Sequence, residues 1–519
     1  MTVLDSIPSE ILEHIAFYAA TDSFLGPPNH LVPLLTSNRQ IHSQLSISSN
    51  PLLYARIFAH KFDLQPVLRH LNVDNAPSTA LAAELKLRFL YLKRIRAGGD
   101  AYRIEGSNKS CASLHQLLLR VFIWLLENEE KNERQLREYA NIDTWLQDYW
   151  FSSDGASDAI RRIREGHWPI SDRNASLAMW LYWFLLRPDD NAPDDSALDV
   201  LRAFAIVAHR YNITASPWTE FSPTSSPDTP SHIAHFDEDF QLTPLPAAIP
   251  AILAFLTLAN KRQSNGPPSH PSISYKSIVR GKPSCEWDCE WARCLSISLM
   301  QYGSMLTGAF RPGSIEGIWE GQFTYTEFAA YAALLGGAPP LILQKSLVAA
   351  HQQTWKLREY HLMRPAVPGT DLQLDANAEP LPSGNPLRSY FPDGTHIKED
   401  SEGLVVLAPN RNHSVRYQRS SHTTPENLKR RCENNIVDVI IMGEGHSSWG
   451  QFNLVGRVRP CDGFISLSKE YIDGDRGKWL YRGYLVGNVH GNLVGRWRDT
   501  LSPIEVSGYE GCFAMNRRR

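Results

Sequence analysis

Cysteine and histidine form two groups in this chain whose residue types suit a metal ion. Cys285, Cys289 and Cys294 are close in sequence, but they lack the closely spaced cysteine pair of zinc folds, and no histidine pair follows them. His232 and His235 precede three acidic residues, in a segment flanked by proline and serine that predicts a loop. A loop does not hold metal-binding side chains in a fixed coordination geometry. The sequence therefore predicts no bound metal, and ordinary buried or surface cysteines.

A glycine-rich stretch at residues 443–450 contains the other pattern that suggests chemistry. Around Ser447 it looks at first like the turn that presents a nucleophilic serine, but the closing glycine is displaced by one position and no helix follows. Gly443 and Gly445 lack the third glycine of a pyrophosphate-binding loop. A hairpin loop is the better interpretation. We therefore predict that the chain is not an enzyme and binds no cofactor.

Composition predicts a globular, multidomain protein. The chain has 519 residues, of which 43 % are hydrophobic and 10 % aromatic, enough for more than one core. Its net charge is -3, so there is no basic excess to hold phosphate groups, and we predict no nucleic-acid partner.

The sequence also argues against a membrane or secreted location. No basic region followed by an apolar core is visible near residue 1, and the longest apolar run, 245–259, is interrupted by Pro246 and Pro250. Seven cysteines without a paired spacing fit a reducing compartment. We predict a cytoplasmic or nuclear protein, or one found in both.

Apolar residues in the first sixty positions predict three short helices. Ile7, Ile11 and Ile15 recur every four residues and Leu12 widens the stripe, while Pro8 suits the first turn of a helix. Further apolar sets contain Leu34 and Leu35, and then Leu53. A unit of this size buries little by itself, so the stripe predicts contact either with the next domain or with another protein.

This segment resembles the F-box motif, and most closely that of fungal F-box proteins. The resemblance rests on the pattern Ile-Pro-x-Glu-Ile-Leu-x-x-Ile, the leucine cluster, Ser37 to His42, and Asn-Pro-x-Leu-Tyr from Asn50. It implies binding to the adaptor Skp1 and, through Skp1, to a cullin. The residues implied to bind Skp1 are Ile7, Pro8, Ile11, Leu12, Ile15, Leu34, Leu35 and Leu53.

The rest of the chain changes from helical to strand patterns. Residues 61–312 contain long apolar segments with helix-stop residues and are predicted to be mostly helical. From 313 onward, alternating segments separated by Gly, Asn or Asp predict an antiparallel meander of about eight strands. A meander of that length removes its edges by closing into a barrel.

The predicted barrel resembles the calycin, or lipocalin-like, fold. Gly317-x-Trp319 on the first strand and Arg496 and Arg498 near the last resemble the calycin pairing of a tryptophan with an arginine. We predict that Trp319, Tyr481, Arg496 and Arg498 bind the substrate. The alternative is that one arginine only stacks on Trp319 to close the barrel. Insertions are expected at about 327–353 and 371–427.

These interpretations give one fold class and competing functions. The predicted class is α+β multidomain: a three-helix F-box at 1–60, an α-helical middle at 61–312 and a β-barrel at 313–519. The function implied by the resemblance is substrate recognition in a Skp1-cullin-F-box ubiquitin ligase, with an unknown target protein held by the barrel. One alternative is a lipocalin-like protein that binds a small molecule, which an open apolar cavity would favour. Another is a hydrolase with an unrecognised site.

Overall fold

A computed structural model describes most of the chain. The described residues are 7–103, 111–187, 195–224, 230–264, 275, 283–299, 306–345, 348–363, 379–409, 411–420, 436–474, 476–488 and 490–518. The chain divides into two compact units. The first contains Met1–Asp158, His232–Phe240 and Gly281–Cys285, and the second contains Ala159–Ser231, Gln241–Arg280 and Glu286–Arg519.

The first unit is built mainly of helices. They are α1 (Ser9–Thr21), α2 (Leu31–Ser37), α3 (Arg39–Leu45), α4 (Pro51–Lys61), α5 (Gln65–Leu71), α6 (Ser78–Arg96), α7 (Cys111–Leu126), α8 (Lys131–Arg134), a π-helical turn (Gln135–Tyr139) and α9 (Ile142–Phe151). Four helices, rather than the three predicted, lie between residues 9 and 61.

Local sequence explains where the early helices begin. The Asn38 side chain accepts a hydrogen bond from the Ile41 amide at 2.8 Å and so caps α3. Asn50 caps α4 in the same way through the Leu53 amide at 3.0 Å, and Pro51 occupies the first helical position. Helices α3 and α4 therefore start where an asparagine side chain satisfies a free amide group.

A hairpin replaces the loop predicted around His232 and His235. Its strands are β1 (Ser231–His235) and β2 (Glu238–Leu242), and a 3₁₀ helix follows later at Pro283–Glu286. Phe236 and Asp237 form the turn with positive φ values of 52° and 65°. Proline and serine on either side suggested a loop, but the two turn residues reverse the chain tightly enough for strands to pair.

The helices of the second unit begin after residue 158. They are α10 (Ala159–Arg164), α11 (Arg173–Leu185), α12 (Asp195–Ile206), α13 (Ala248–Ser264), α14 (Asp288–Leu299), α15 (Phe328–Leu335) and α16 (Ile342–Lys345). Helices of the predicted middle region, 61–312, therefore occur in both units.

The strands of the second unit match the predicted meander closely. They are β3 (Gly317–Thr326), β4 (Val348–Met363), β5 (His396–Glu399), β6 (Gly403–Leu407), β7 (Val415–Arg419), β8 (Ile436–Ser447), β9 (Gly450–Val458), β10 (Phe464–Tyr471), β11 (Lys478–Val486), β12 (Asn492–Asp499) and β13 (Glu510–Arg517). The end of β8 and the start of β9 form the hairpin predicted for the glycine-rich stretch.

Eight of these strands close into an antiparallel barrel. Their order around the barrel is β3, β4, β8, β9, β10, β11, β12 and β13, and β13 pairs with β3 to complete the circle. The α+β class with a closed barrel of about eight strands, predicted from the alternating segments, is confirmed.

The two predicted insertions have separate structures. The first contains α15 and α16, although β4 begins at Val348 and so takes its last residues. In the second, β5, β6 and β7 form a small sheet attached to β4, and a 3₁₀ helix lies at Pro386–Arg388. Residues 371–378, 410 and 421–427 of that predicted insertion lie outside the described residues.

The barrel interior is filled by side chains from every second residue of its strands. Its core combines aromatic and aliphatic residues that are each at most 7 % exposed, among them Trp319, Phe323, Trp355, Phe452 and Phe513. Glycines on neighbouring strands make room for the large rings: a Cβ at position 445 would lie 2.5 Å from a ring carbon of Phe452. The interior is therefore packed with side chains over the described strands.

Candidate functional site

Helix α1 exposes a row of large apolar side chains. Ile11, Ile15 and Tyr18 are 51 %, 40 % and 68 % exposed. Their spacing of four and three residues places them on one side of the helix. We call these three residues the α1 stripe. Contiguous exposed apolar surface of this kind is typical of an interaction site.

The opposite side of α1 packs into the core of the first unit. Leu12, Ala16 and Ala20 are each at most 1 % exposed, and Leu53 of α4 is buried to the same degree. This corrects part of the predicted Skp1-binding set, because Leu12 and Leu53 have no free surface to offer a partner. Their burial holds the helices together instead.

The other residues predicted to bind Skp1 keep some free surface. Pro8 is exposed, and Ile7, Leu34 and Leu35 are half-buried. Sequence reasoning missed three exposed apolar residues in the same segment, Tyr18, Val32 and Leu52. Of these, Tyr18 was detectable, because it continues the Ile11 and Ile15 spacing by one helical step.

A shallow groove lies beside the polar flank of α1. Its volume is about 360 Å³, and the hydrogen bond from Asn50 Nδ2 to Glu13 Oε1, 2.7 Å long, ties α1 to the start of α4 at its edge. The residues that line it are Ser9, Glu13, Ser43, Gln44, Leu45, Ser49, Asn50, Pro51 and Leu52. The walls of the groove come from three helices, α1, α3 and α4, and their contacts hold α1 in a fixed orientation.

Two of the predicted substrate-binding residues point into the barrel core. Trp319 is fully buried and donates from its indole Nε1 to the Ile315 carbonyl at 2.8 Å. Tyr481 is 3 % exposed, and its ring packs against Trp355 and Phe513 with centroid distances of 5.3 and 5.0 Å. Both side chains stabilise the interior and are inaccessible to a protein target.

The two predicted arginines lie on the same face of β12 and point out of the barrel, but they too are buried. Arg496 donates to the carbonyl of Phe204, in the last turn of α12, at 2.8 Å, and it also donates to the carbonyl of Tyr211, which follows α12. A helix C-terminus carries unsatisfied carbonyls and partial negative charge, so a cation there is stabilising. Burial nevertheless lowers the pKa of Arg496 to about 10. Arg498 donates to the carbonyls of Ser502 and Pro503 at 3.1 and 3.2 Å.

An arginine that the sequence reasoning did not select lies opposite Trp319 in the sheet. Arg517 on β13 stands opposite Trp319 in the strand ladder, and its guanidinium bonds the Glu316 carbonyl. A Cβ at position 317 would lie 3.0 Å from the Arg517 Nε atom, so Gly317 leaves space for this side chain. The four predicted substrate-binding residues are therefore not gathered into one accessible site.

One lysine lies inside the barrel. Lys469 is 1 % exposed, and its Nζ is 3.8 Å from the ring centroid of Phe452 and 3.2 Å from Gln353 Oε1. Aromatic faces and an amide oxygen stabilise the ammonium group. Burial still lowers the pKa of Lys469 to about 7.

Buried ion pairs support the outer wall of the barrel. Arg457 and Asp438 are fully buried and pair at 2.9 Å, and the Tyr417 hydroxyl donates to the same carboxylate at 2.8 Å. Arg457 also donates to the carbonyls of Leu381 and Tyr390. These groups satisfy one another in a structural network, and none of them faces open solvent.

The described residues lack two features, a metal-binding cluster and a membrane-spanning helix. No group of three or more His, Cys, Asp or Glu side chains there has an arrangement that would hold a metal ion. Among the helices of the described segments, none is both long and apolar enough to cross a membrane.

Comparison with known proteins adds no assignment. No protein-family model, no curated protein and no solved structure matches this chain. The fold itself defines the class: an α+β protein with a closed eight-stranded antiparallel barrel. A functional conclusion therefore has to rest on the chain's own surfaces.

Proposed function

We propose that this chain is the substrate-recognition subunit of a Skp1-cullin-F-box ubiquitin ligase and is itself non-catalytic. The observation that carries the proposal is the α1 stripe. Ile11, Ile15 and Tyr18 stand exposed on a helix whose sequence resembles the F-box motif. The α1 stripe is the surface that Skp1 would cover.

The size of the stripe suits a protein contact. Complete burial of a large apolar side chain contributes roughly 1.5–3 kcal/mol. Three such residues on one helical face form the kind of compact cluster that dominates binding energy in protein interfaces. The core of the bundle behind the stripe, which includes Leu12 and Leu53, supplies a rigid support for it.

Such a subunit needs no catalytic residues of its own. Its role is to hold a target protein near a ubiquitin-transfer enzyme, which raises the effective concentration of the reacting groups. The packed barrel interior supports target capture on outer surfaces of the chain. It gives no support to the alternative of a small molecule held inside the barrel, because Trp319, Phe323 and Trp355 occupy that space.

The proposal is tested by measuring the affinity of purified Skp1 for the full-length chain. The variant Ile11→Asp with Ile15→Asp places two carboxylates in the proposed interface, and unpaired charges there cost several kcal/mol. We expect at least a hundredfold loss of affinity with an unchanged melting temperature.

The matched control is Leu90→Asp. Leu90 is 62 % exposed on α6 of the same unit, so it receives the same chemical change outside the α1 stripe. The affinity of the Leu90→Asp variant for Skp1 is expected to stay within twofold of that of the wild type. Wild-type binding by the double variant, or no binding by the unmodified chain, would disprove the proposal.

A further inference from the structure

The second unit contains a groove of about 670 Å³. None of its lining residues is among those predicted to bind Skp1 or a substrate of the barrel. Three segments far apart in sequence build it: the end of α10 with residues 166–171, the segment 209–211 after α12, and Gly337 with Pro339 after α15. A volume of this order accommodates several groups of a bound chain or a small ligand. The three segments meet only in the folded unit.

Apart from the Tyr211 phenol, the ionisable side chains that line this basic groove carry positive charge or become positive on protonation. They are Arg162, His167, His209 and Arg210, and no aspartate or glutamate is among the lining residues. Within the described residues, neither Arg162 nor Arg210 pairs with a carboxylate. In the part of the chain that the structure describes, the guanidinium donors of the groove therefore have no acidic partner.

The arrangement of these cations is fixed by the walls. Arg162 donates through Nε to the Trp168 carbonyl at 2.8 Å, which leaves its terminal nitrogens free to donate elsewhere. The Arg210 guanidinium lies 5.7 Å from the centre of the Trp168 ring. The Tyr211 hydroxyl donates to the Pro169 carbonyl at 2.8 Å and so joins two of the three segments. Donors held in advance lose less entropy on binding.

Positive charge also lies behind the groove wall. Burial lowers the pKa of His209, and the nearby charges of Arg210 and Arg496 lower it further, while Glu510 opposes them. Arg496 reaches this wall through its bond to the Tyr211 carbonyl. The local field thus favours an anion, and a concave site concentrates that field.

We propose that the basic groove binds a peptide segment that carries oxyanions, either carboxylate or phosphate. Arg162 and Arg210 supply planar forks that match both anions. Ile170 and Pro339, which are both exposed, supply apolar surface for the peptide backbone and side chains. The site does not depend on the α1 stripe, so it stands or falls separately from Skp1 binding.

The test measures fluorescence anisotropy of three labelled peptides with the full-length chain in the absence of Skp1. One peptide is glutamate-rich, the second replaces the glutamates with phosphoserine, and the third replaces them with glutamine. We expect saturable binding of one or both acidic peptides, weakening as salt increases, and at least tenfold weaker binding of the glutamine peptide. Which acidic peptide binds more tightly distinguishes carboxylate from phosphate.

Variants of neighbouring arginines locate the binding. Arg162→Gln and Arg210→Gln are each expected to weaken binding of the preferred peptide about tenfold or more, because each removes charge-assisted hydrogen bonds. Arg164→Gln is the matched control, since Arg164 is exposed on the same helix as Arg162 but does not line the groove. Melting temperatures show whether each variant is folded.

Three results would overturn the proposal. They are the absence of binding by both acidic peptides, equal binding of the glutamine peptide, and an Arg164→Gln loss as large as that of Arg210→Gln. Because Arg210 is exposed and its removal leaves no buried group unpaired, the Arg210→Gln variant keeps the test decisive if Arg162→Gln fails to fold.

Discussion

The N-terminal helices and the barrel distribute polarity in opposite ways. Helix α1 turns Ile11, Ile15 and Tyr18 toward solvent, whereas the barrel buries Lys469 inside and the Arg457–Asp438 pair in its outer wall. The exposed apolar residues make few contacts within the fold, so their removal should weaken Skp1 binding more than it lowers the stability of the protein. The buried charges have many partners and little access, so their removal should affect stability.

The difference follows from size and packing. Helices α1 to α4 form a small bundle, and one side of α1, with Leu12 and two alanines, is enough to close its core. In the barrel, side chains are buried both in the interior and on parts of the outer wall. Successive residues of a strand point alternately to these two sides, so polar residues can be buried on either side. Charges on those positions persist only where other groups satisfy them.

The largest expected effect comes from breaking the buried pair. Asp438→Ala leaves the Arg457 guanidinium without its carboxylate in a fully buried site, and removal of one member of such a pair typically costs about 3–5 kcal/mol. We expect a marked fall in the midpoint of urea unfolding for the second unit.

The exposed pair Arg388–Asp393 provides the control for that experiment. Its atoms are 2.6 Å apart, closer than in the buried pair, but the side chains are 59 % and 75 % exposed. Asp393→Ala should change stability by about 1 kcal/mol or less. Equal losses from the two substitutions would show that burial does not separate these pairs.

A smaller effect is expected from shortening the two neighbours Ile11 and Leu12. Leu12→Ala removes buried methyl groups and should cost about 2–3 kcal/mol, near the lower end for leucine because a small bundle can partly collapse around the gap. Ile11→Ala should change stability by about 0.5 kcal/mol or less, since Ile11 is half in solvent. Thermal unfolding of both variants measures the contrast. An equally destabilising Ile11→Ala would mean that the α1 stripe serves packing.

A last effect concerns Lys469 and depends on pH. Its pKa of about 7 in the folded chain lies below the usual value of about 10.4, so burial of the ammonium is unfavourable. Below about pH 7 both states are protonated and this cost is complete. Between about pH 7 and 10 the unfolded state binds the extra proton, so the stability of the wild type rises with pH by about 1 kcal/mol per unit.

Comparison with Lys469→Met isolates that contribution, because methionine fills similar space without a charge. The variant is expected to be more stable than the wild type. This difference in the free energy of unfolding should be largest at pH 6 and smallest at pH 10. A difference that does not change over this range would show that the aromatic rings around Lys469 fully compensate its burial. Urea unfolding at each pH measures it.

The barrel was predictable because its sequence carries the information locally. Alternating segments separated by turn residues predicted the antiparallel meander to which β11 (Lys478–Val486) belongs. Period-two alternation also places Arg496 and Arg498 on one face of β12. It could not show that this face is covered, because the carbonyls of Phe204 and Tyr211 that meet Arg496 are remote in sequence.

Other features depended on information that periodicity does not contain. The apolar pattern of α1 left open which side packs, and the core side includes Ala16 and Ala20, which are less apolar than the exposed isoleucines. The basic groove was not predicted either, since Arg162, His209 and Pro339 belong to three separated segments. A hydrophobic pattern gives the faces of an element, and only packing decides their use.

The circular order of the barrel strands has a consequence for how the protein is made. Trp319 in β3 pairs with Arg517 in β13, so the first and last barrel strands share a ladder. During synthesis the earlier strands leave the ribosome well before β13, and pairings between distant segments form slowly. Until β13 arrives, β3 and β12 each have an open edge, and open edges invite pairing with other chains. The nascent chain is therefore most vulnerable to aggregation just before its last strand is added.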